Sequence, residues 1–404
     1  MQIRPILSAM RRNKVGAFLI ALQMAVTLAI LCNALFIIQQ RLSLMARPSG
    51  VDEDHVFTIN NQWVGNPDDL GARLAGDLAA LRSLPGVVDA YASNSFPLRG
   101  GGWSESVNLK PEQKTSTAHS ALYFADEHTL NTLGLKLVAG RNFSADEVTD
   151  RNGDDQVEPP AMIVTKALAE KLFPEQSGLG KTVYVDKRPV TIVGIVERLQ
   201  VPWVSNSWSE KFVENSMLQP YHFLAQGTHY LVRTQPGQLD AVIQLAQKKL
   251  FEINRARVVD KVQPYAEVRA LAYRNDHAVA VILGAVCTAL LAVTAFGIVG
   301  LTSFWVTQRR RQIGVRRALG ATRRGILAYF QTENVMIAAA GAAVGVGLAV
   351  GLNLWMMSAF EMTRMSVLYV LSGAVAVVLL GQLAVLWPAL RAASIPPALA
   401  TRAA

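Results

Sequence analysis

The sequence is poor in cysteine and in charged residues. Only 2 of its 404 residues are cysteines, which excludes a disulfide framework. Charged side chains make up 17% of the chain, whereas soluble domains carry about a quarter. Hydrophobic residues reach 51%. This composition argues against a series of ordinary soluble domains and predicts that apolar residues are concentrated in particular segments.

Four long segments lack Asp, Glu, Lys, Arg and His altogether: residues 15–38, 278–306, 334–360 and 366–390. A membrane-crossing helix needs about 20 mostly apolar residues, so each segment is long enough. Four such segments in one chain favour membrane spans over the buried core helices of a large soluble protein. The first is longer than the about 7–15 apolar residues of a secretory signal and has no A-x-A site after it. We therefore predict that it is an uncleaved span.

The positive charge lies in short segments beside these spans. A net charge of +9 raises the hypothesis of nucleic-acid binding, which requires a basic face on a folded domain. Instead, residues 1–14, 307–325 and 391–404 together hold 13 basic and 0 acidic residues, whereas residues 41–276 have a net charge of −3. Short cytoplasmic loops are enriched in Lys and Arg. The pattern predicts no nucleic-acid partner, cytoplasmic termini, a cytoplasmic basic loop and a large domain outside.

The predicted fold is an α-helical membrane protein with four transmembrane helices, a helical stalk and a large α+β extracytoplasmic domain inserted between helices 1 and 2. The segments in order are a cytoplasmic amphipathic N-terminus (1–14), span 1 (15–40), the inserted domain with its stalk (41–276), span 2 (277–306), a cytoplasmic loop (307–325), span 3 (326–360), a short outer loop (361–365), span 4 (366–390) and a cytoplasmic C-terminus (391–404).

The inserted domain combines both kinds of secondary structure. β-Branched and aromatic residues predict strands, and amphipathic spacing predicts helices. The predicted strands are residues 56–60, 87–92, 121–124, 182–185, 190–196 and 230–233, and the predicted helices are 68–84, 165–173 and 239–251. For the stalk, we expect the first span to continue through residues 39–45 and a helix over 264–277 to run without a break into the second span.

No catalytic or metal-binding constellation is evident in the sequence. Gly178, Gly180, Lys181 and Thr182 resemble the end of a phosphate-binding loop, but Glu175 stands where its first glycine belongs. We interpret this stretch as a turn before the strand at Thr182. The six histidines are scattered, without paired metal-ligand spacing. The sequence therefore predicts a non-catalytic subunit that holds no metal or cofactor of its own.

The most specific stretch is QRRRQIGVRRALGATRRGIL at residues 308–327, which we call the arginine connector. It joins spans 2 and 3. The simplest interpretation is anchoring to the phosphate layer of the membrane lipid. The predicted interface anchors are Arg309, Arg310, Arg311, Arg323 and Arg324.

The arginine connector closely resembles the R-R-x-E-I-G-x-R-[RK]-A-[LM]-G-A pattern of the FtsX/MacB-type ABC transporter permeases. The stretches at 84–87, 133–143 and 173–196 resemble the MacB-type periplasmic core domain, and residues 388–397 resemble the family's P-x-x-R-A ending. The resemblance covers nearly the whole chain. The main departure is Gln312, where the family usually has Glu.

The resemblance implies a permease subunit that pairs with a second permease and with cytosolic ABC ATPases, which bind ATP and magnesium. Only 14 residues precede the first span and no Walker motifs are evident, so we expect the ATPase to be a separate chain. The connector would dock on it. The residues that match the docking motif are Ile313, Gly314, Arg316, Arg317, Ala318, Leu319, Gly320 and Ala321.

Two features of the third span carry predictions of their own. Glu333 is its one acidic residue, and we interpret it as a structural hydrogen-bonding group at the inner end of the span. Glycines spaced by four residues let helices approach closely. The predicted packing positions are Gly341, Gly345, Gly347 and Gly351. Neither feature predicts a polar substrate path through the spans.

Three functions fit a bacterial inner-membrane permease of this kind. The first is MacB-like export of a periplasmic drug, peptide or siderophore through an adaptor and an outer-membrane channel. The second is Lol-type release of lipoprotein or lipid, and the third is FtsX-like activation of a cell-wall hydrolase. In each, the spans would act by mechanotransmission, as levers between the ATPase and the inserted domain. The MacB-type core pattern favours the first.

Overall fold

The computed structural model describes residues 14–65, 67–152, 159–204, 207–360 and 364–394. The predicted N-terminal segment, the loop at 361–365 and the C-terminal segment therefore lie largely outside the described residues. The chain forms two compact units. One, the membrane unit, consists of Met1–Met45 with Asp276–Ala404, and the other, the inserted domain, of Ala46–Asn275.

The described helices, in chain order, are α1 (Lys14–Met45), α2 (Leu70–Arg82), α3 (Thr129–Leu133), α4 (Lys166–Leu172), α5 (Ser207–Glu210), α6 (Leu239–Ile253), α7 (Tyr265–Ala272), α8 (Arg274–Gln308), α9 (Arg310–Ala318), α10 (Arg323–Phe360) and α11 (Val367–Ala393). The strands are β1 (Val56–Trp63), β2 (Val87–Ser93), β3 (Trp103–Asn108), β4 (Ala118–Ala125), β5 (Leu137–Gly140), β6 (Thr149–Asn152), β7 (Ala161–Thr165), β8 (Thr182–Val185), β9 (Arg188–Val196), β10 (Ser216–Leu224), β11 (Gly227–Thr234) and β12 (Arg257–Pro264).

Four helices of the membrane unit are long and apolar enough to cross a bilayer: α1, α8, α10 and α11. They coincide with the four uncharged segments of the sequence. Helices α1, α10 and α11 pack together around Met24, Leu28 and Val377, which are fully buried. Of these four helices α8 is the most exposed: 11% of its apolar 18-residue stretch is buried, compared with 44% for α1. Most of its surface is therefore left for lipid or for another chain.

The stalk differs in one respect from its prediction. Helix α1 continues to Met45 as predicted, and Arg41 near its end forms an ion pair with Asp276 of α8 at 2.8 Å. The predicted continuous helix over 264–277 is wrong, because the helix is interrupted at Tyr273 between α7 and α8. Tyr273 is buried, and its hydroxyl lies 3.5 Å from Gln200 Oε1. The break thus falls at a residue whose side chain is buried in the inserted domain.

One part of the inserted domain is an antiparallel sheet of four strands in the order β12-β1-β11-β2. Alternate residues of β1, Phe57 and Ile59, point to one face and pack with Tyr230 and Val232 of β11 against α2 and α6. Polar residues such as Thr58 and Asn60 point to the opposite face. The period-2 pattern of the sequence thus makes one dry face and one polar face.

A buried ion pair lies in this core. Arg257 donates from both terminal guanidinium nitrogens to the Asp77 carboxylate at 2.7 and 2.8 Å, and both side chains are fully buried. The Tyr230 hydroxyl donates to Asp77 at 2.6 Å, and Arg257 stacks 4.2 Å from the centroid of Trp63. Burial and then the Asp77 charge raise the Tyr230 pKa well above its usual range, so the hydroxyl keeps the proton that it donates.

The other part is an eight-stranded sheet, in which β10 pairs in parallel with β4 and closes a ring of β4, β3, β8, β9, β7 and β10. Phe124, Met162 and Ile192 are fully buried in its core. All six predicted strands are confirmed, but the prediction missed β3, β5, β6, β7, β10 and β12. Pro220 lies within β10 although proline cannot donate a hydrogen bond to a sheet. It is accommodated because β7 pairs with β10 only at Met217 and Leu218.

Candidate functional site

The arginine connector forms a short helix with a defined end. Helix α9 ends in a Schellman motif, in which the Ala321 N–H donates to the Arg316 carbonyl and the Gly320 N–H to the Arg317 carbonyl. Gly320 has φ of 93°, which glycine adopts without strain. Thr322 then begins α10 by accepting a hydrogen bond from the Gly325 N–H at 3.1 Å. The sequence Gly320-Ala321-Thr322 therefore sets a rigid turn between two helices.

The residues that match the docking motif divide into two sets. Ile313 and Gly314 are buried, and Ile313 packs in the core of the membrane unit with Ile326 and Phe330. Arg316, Ala318, Leu319, Gly320 and Ala321 are exposed, and Arg317 is half-buried. Leu319 is 83% exposed, an unusual position for leucine. The C-terminal end of α9 thus faces outward, while Ile313 holds this helix to the spans.

The predicted interface anchors also separate. Arg310, Arg311, Arg323 and Arg324 are exposed, as anchors would be. Arg309 points inward and donates to both oxygens of Glu333 on α10, at 2.9 and 3.2 Å. The side chains of Arg309 and Glu333 are 12% and 4% exposed. Glu333 thus has the structural, hydrogen-bonding place predicted for it, and its partner links the start of the connector to the third span.

The two predicted glycine pairs lie on different surfaces of α10. A side chain at Gly341 would meet the Ala21 carbonyl of α1 at 2.6 Å, and one at Gly345 the Ala25 carbonyl at 2.9 Å. These glycines permit the close packing of α1 on α10. No described atom lies within 4 Å of a side chain built at Gly347 or Gly351. A packing role for that second pair stays a prediction, and it would require another chain.

This difference leads to a paired test. A Gly345→Leu variant is expected to lose at least about 1–3 kcal/mol of stability, since the new side chain overlaps the α1 backbone. Gly351→Leu places the same side chain in open space and is the matched control. Thermal unfolding of the two purified variants in lipid nanodiscs compares them. Equal destabilisation of both would contradict the α1–α10 packing.

Other candidate features of the sequence prove to be structural. Gly178–Gly180 form the predicted turn before β8. The stretch Gly100–Gly102 lies in the connection from β2 of the first sheet to β3 of the second. Trp203 and Trp208 pack against Phe212, which is buried. Among the described residues, no group of three or more His, Cys, Asp or Glu side chains could hold a metal.

Sequence comparison accounts for both units of the chain. Residues 18–249 match the MacB-like periplasmic core domain, and residues 284–397 match the FtsX-like permease C-terminal domain. The first match alone spans more than half of the 404 residues. The chain belongs to the FtsX/MacB-type ABC transporter permeases. The α8–α11 part, with its arginine connector, is thus the FtsX-like portion of this permease.

Relatives of this permease include a macrolide export ATP-binding/permease protein MacB from Neisseria meningitidis, 26% identical over 272 residues. An uncharacterized ABC transporter permease, YknZ of Bacillus subtilis, is 24% identical over 279 residues. The alignments cover 66% and 68% of this chain. The chain spans 39% of the length of that MacB and 65% of YknZ.

Two solved structures resemble parts of the permease. The extracellular domain of YknZ is 19% identical, with a TM-score of 0.32, and covers 50% of this chain and 100% of its own. The periplasmic region of MacB from Actinobacillus actinomycetemcomitans is 16% identical, with a TM-score of 0.36, and covers 57% of this chain and 97% of its own.

Membership in this family implies an ATPase partner, and the connector is the element predicted to contact it. The sequence predicted docking residues in the connector, which stay a prediction, and it did not identify the partner of Glu333. The signal was present: a single acid within an apolar helix requires a nearby cation, and the arginine cluster follows the preceding span. The sequence did not specify which of seven arginines turns inward.

Proposed function

We propose that this chain is the permease subunit of a MacB-like, type VII ABC transporter that works by mechanotransmission. Separate cytosolic ATPase chains would bind ATP and magnesium, and ATP binding would bring two of these chains together. The connector would carry their movement to the spans and the stalk, and the inserted domain would drive export of a periplasmic substrate. The observation that carries this proposal is the exposed, rigidly capped end of the connector, with Leu319 83% exposed.

The connector combines an exposed contact surface with a firm attachment to the spans. Its outer end offers Leu319 and Ala318 as an apolar contact beside the positive charge of Arg316, a combination that fits an acidic groove on a partner. Arg316 lies 5.2 Å from the ring centroid of Tyr329 on α10. Its inner end is fixed by Ile313 and by the Arg309–Glu333 pair. A movement of a bound ATPase at the exposed end of α9 would therefore be transmitted to the spans instead of bending a flexible loop.

The partners follow from this role. A second permease subunit, identical or paralogous, would complete the transporter, and the exposed surface of α8 together with Gly347 and Gly351 is available to it. We place the chain in the bacterial inner membrane with the connector cytoplasmic and the inserted domain periplasmic, because the basic residues collect beside the spans. A periplasmic adaptor and an outer-membrane channel would complete the export path. Lol-type release and FtsX-like hydrolase activation use the same lever and differ in the periplasmic partner.

The coupling proposal is tested by Leu319→Asp. An aspartate at the centre of an apolar contact is expected to reduce co-purification of the ATPase, and permease-dependent ATP hydrolysis, by at least about tenfold. Leu245→Asp is the matched control, because Leu245 on α6 is also exposed and lies in the inserted domain. Both variants are tagged, extracted from native membranes and analysed by mass spectrometry for bound proteins.

The same experiment separates the functions. Recovery of an adaptor with the unmodified chain supports export, and recovery of a cell-wall hydrolase would replace export by activation. If Leu319→Asp retained the ATPase as well as Leu245→Asp does, the assignment of the connector as the docking element would be wrong.

A further inference from the structure

A cleft of about 560 Å³ opens on the polar face of the four-stranded sheet, within the inserted domain. Its size is in the range of small-molecule sites. The strand register aligns Lys261, Asn60 and His229 in one row across β12, β1 and β11. Gln263 and Thr58 form the adjacent row. The floor of the cleft is therefore polar. It lies on the face of the sheet opposite to helices α2 and α6.

His229 is the most unusual group on this floor. The residue is 7% exposed, and its ring packs edge-on against Phe96 at a centroid distance of 5.5 Å. In the described part of the chain, neither ring nitrogen has a hydrogen-bond partner. Burial, and then the charge of Arg99, lower the His229 pKa to about 3, so the imidazole is neutral at ordinary pH. It offers one N–H donor and one acceptor nitrogen to the cleft.

Two cations line the same cleft without a carboxylate partner among the described residues. Arg99 donates to the Gly101 carbonyl at 3.0 Å, and Lys261 lies on the edge strand. Burial lowers the pKa of Arg99. Asp260 also lines the cleft, at the bulge where the register between β1 and β12 shifts. Two positive charges against one negative charge favour an anionic ligand.

The walls of the cleft are apolar. Phe96 and Leu98 form one wall, and Val268 and Leu271 of α7 form another. Leu98 has φ of 67°, a strained conformation for leucine, and the segment around it is held by the Gly100 N–H, which donates to the Pro202 carbonyl at 2.8 Å. Such strain persists where the surrounding structure fixes it, often at binding sites. The same short segment contributes Phe96, Leu98 and Arg99 to the lining of the cleft.

We propose that this cleft binds a small amphipathic carboxylate. The apolar body would lie between Phe96 and Leu271, and the carboxylate would accept hydrogen bonds from Arg99 and Lys261. The neutral His229 would supply a further hydrogen bond to a polar group of the ligand. This site does not depend on the coupling role of the connector, because all of its residues belong to the inserted domain.

The test uses the full chain in lipid nanodiscs and three probes that share one ring system: 2-naphthoate, 2-naphthamide and the 2-naphthylmethylammonium cation. Equilibrium dialysis against empty nanodiscs gives each Kd. Naphthoate is expected to bind about tenfold more tightly than the amide, and the cation most weakly, as one charge-assisted hydrogen bond predicts. Equal affinities, or preference for the cation, would overturn the proposal.

Variants of the cleft sharpen this test. Arg99→Gln and Lys261→Gln are each expected to raise the Kd of naphthoate about tenfold without affecting the amide. Lys110→Gln, an exposed lysine outside the cleft, is the matched control and is expected to change nothing. Ala272→Phe fills the cleft without altering charge and is expected to abolish binding of all three probes. Undiminished naphthoate binding by Ala272→Phe would show that the probe binds elsewhere and would refute the site.

Discussion

Asp77→Asn is expected to lower the free energy of unfolding of the four-stranded part of the inserted domain by about 3–5 kcal/mol. The reason is that Arg257, with a fully buried side chain, would keep its charge and lose its carboxylate partner. The neutral amide also cannot accept both guanidinium hydrogen bonds and the hydrogen bond from Tyr230 as the carboxylate does. The ion pair joins α2 to β12, so its loss would weaken both.

Hydrogen exchange of β1, β11 and β12 measures this effect in the full chain, because it reports local stability where a single melting temperature does not. Exchange is expected to accelerate by about a hundredfold to several thousandfold. Asp69→Asn is the matched control, since Asp69 pairs with Arg73 at the surface and its side chain is 57% exposed. A surface pair contributes about 0–1 kcal/mol. Equal effects of the two substitutions would show that the buried pair is unimportant.

Glu333→Gln is the second change with a large expected effect. It would leave Arg309 mostly buried beside a neutral amide, at a cost of about 3–5 kcal/mol. Because this pair fixes the start of the connector to α10, the variant is expected to lose thermal stability and permease-dependent ATP hydrolysis together. The hydrolysis should fall even if the exposed end of the connector is intact.

A double variant distinguishes the pair from a general defect. Arg309→Gln with Glu333→Gln removes both charges and is expected to recover most of the stability, since two neutral amides can hydrogen-bond to each other. Lys248→Gln, at an exposed residue of α6 in the inserted domain, serves as the control and should behave as the parent. If the double variant is no more stable than Glu333→Gln, the two side chains do not act as a pair.

In both ion pairs, the need for a partner can be predicted from the sequence, but the identity of that partner cannot. Asp77 occupies an apolar position of α2, between Leu74 and Leu81 on the buried face, and Glu333 stands alone in an apolar span. A buried acid in either place predicts that a cation lies nearby. The sequence does not identify that cation, because Arg257 is 180 residues from Asp77 and Arg309 is 24 residues from Glu333. Only the packing of the chain brings each pair together.

The glycines of the membrane unit show the same difference between a local pattern and its use in the fold. The spacing at Gly341, Gly345, Gly347 and Gly351 is equally favourable for close helix packing in all four cases. The structure uses the first two against α1 and leaves the last two open. It also packs Gly381 of α11 against Met24, a contact that no short-range spacing indicates. Helix rotation, which depends on all neighbours at once, decides which surface of a span is used.

Local composition is enough to predict the four spans, their polar loops, the elements of the inserted domain with strong periodicity, and the family motif of the connector. These follow from hydrophobicity, charge and turn residues that act over a few positions. Four other features emerge only from the packing of the folded chain: the closure of the six-stranded ring, the inward turn of Arg309, the break at Tyr273 and the cleft around His229. Each of these depends on contacts between residues that are distant in sequence, where burial and hydrogen-bond partners outweigh local preference.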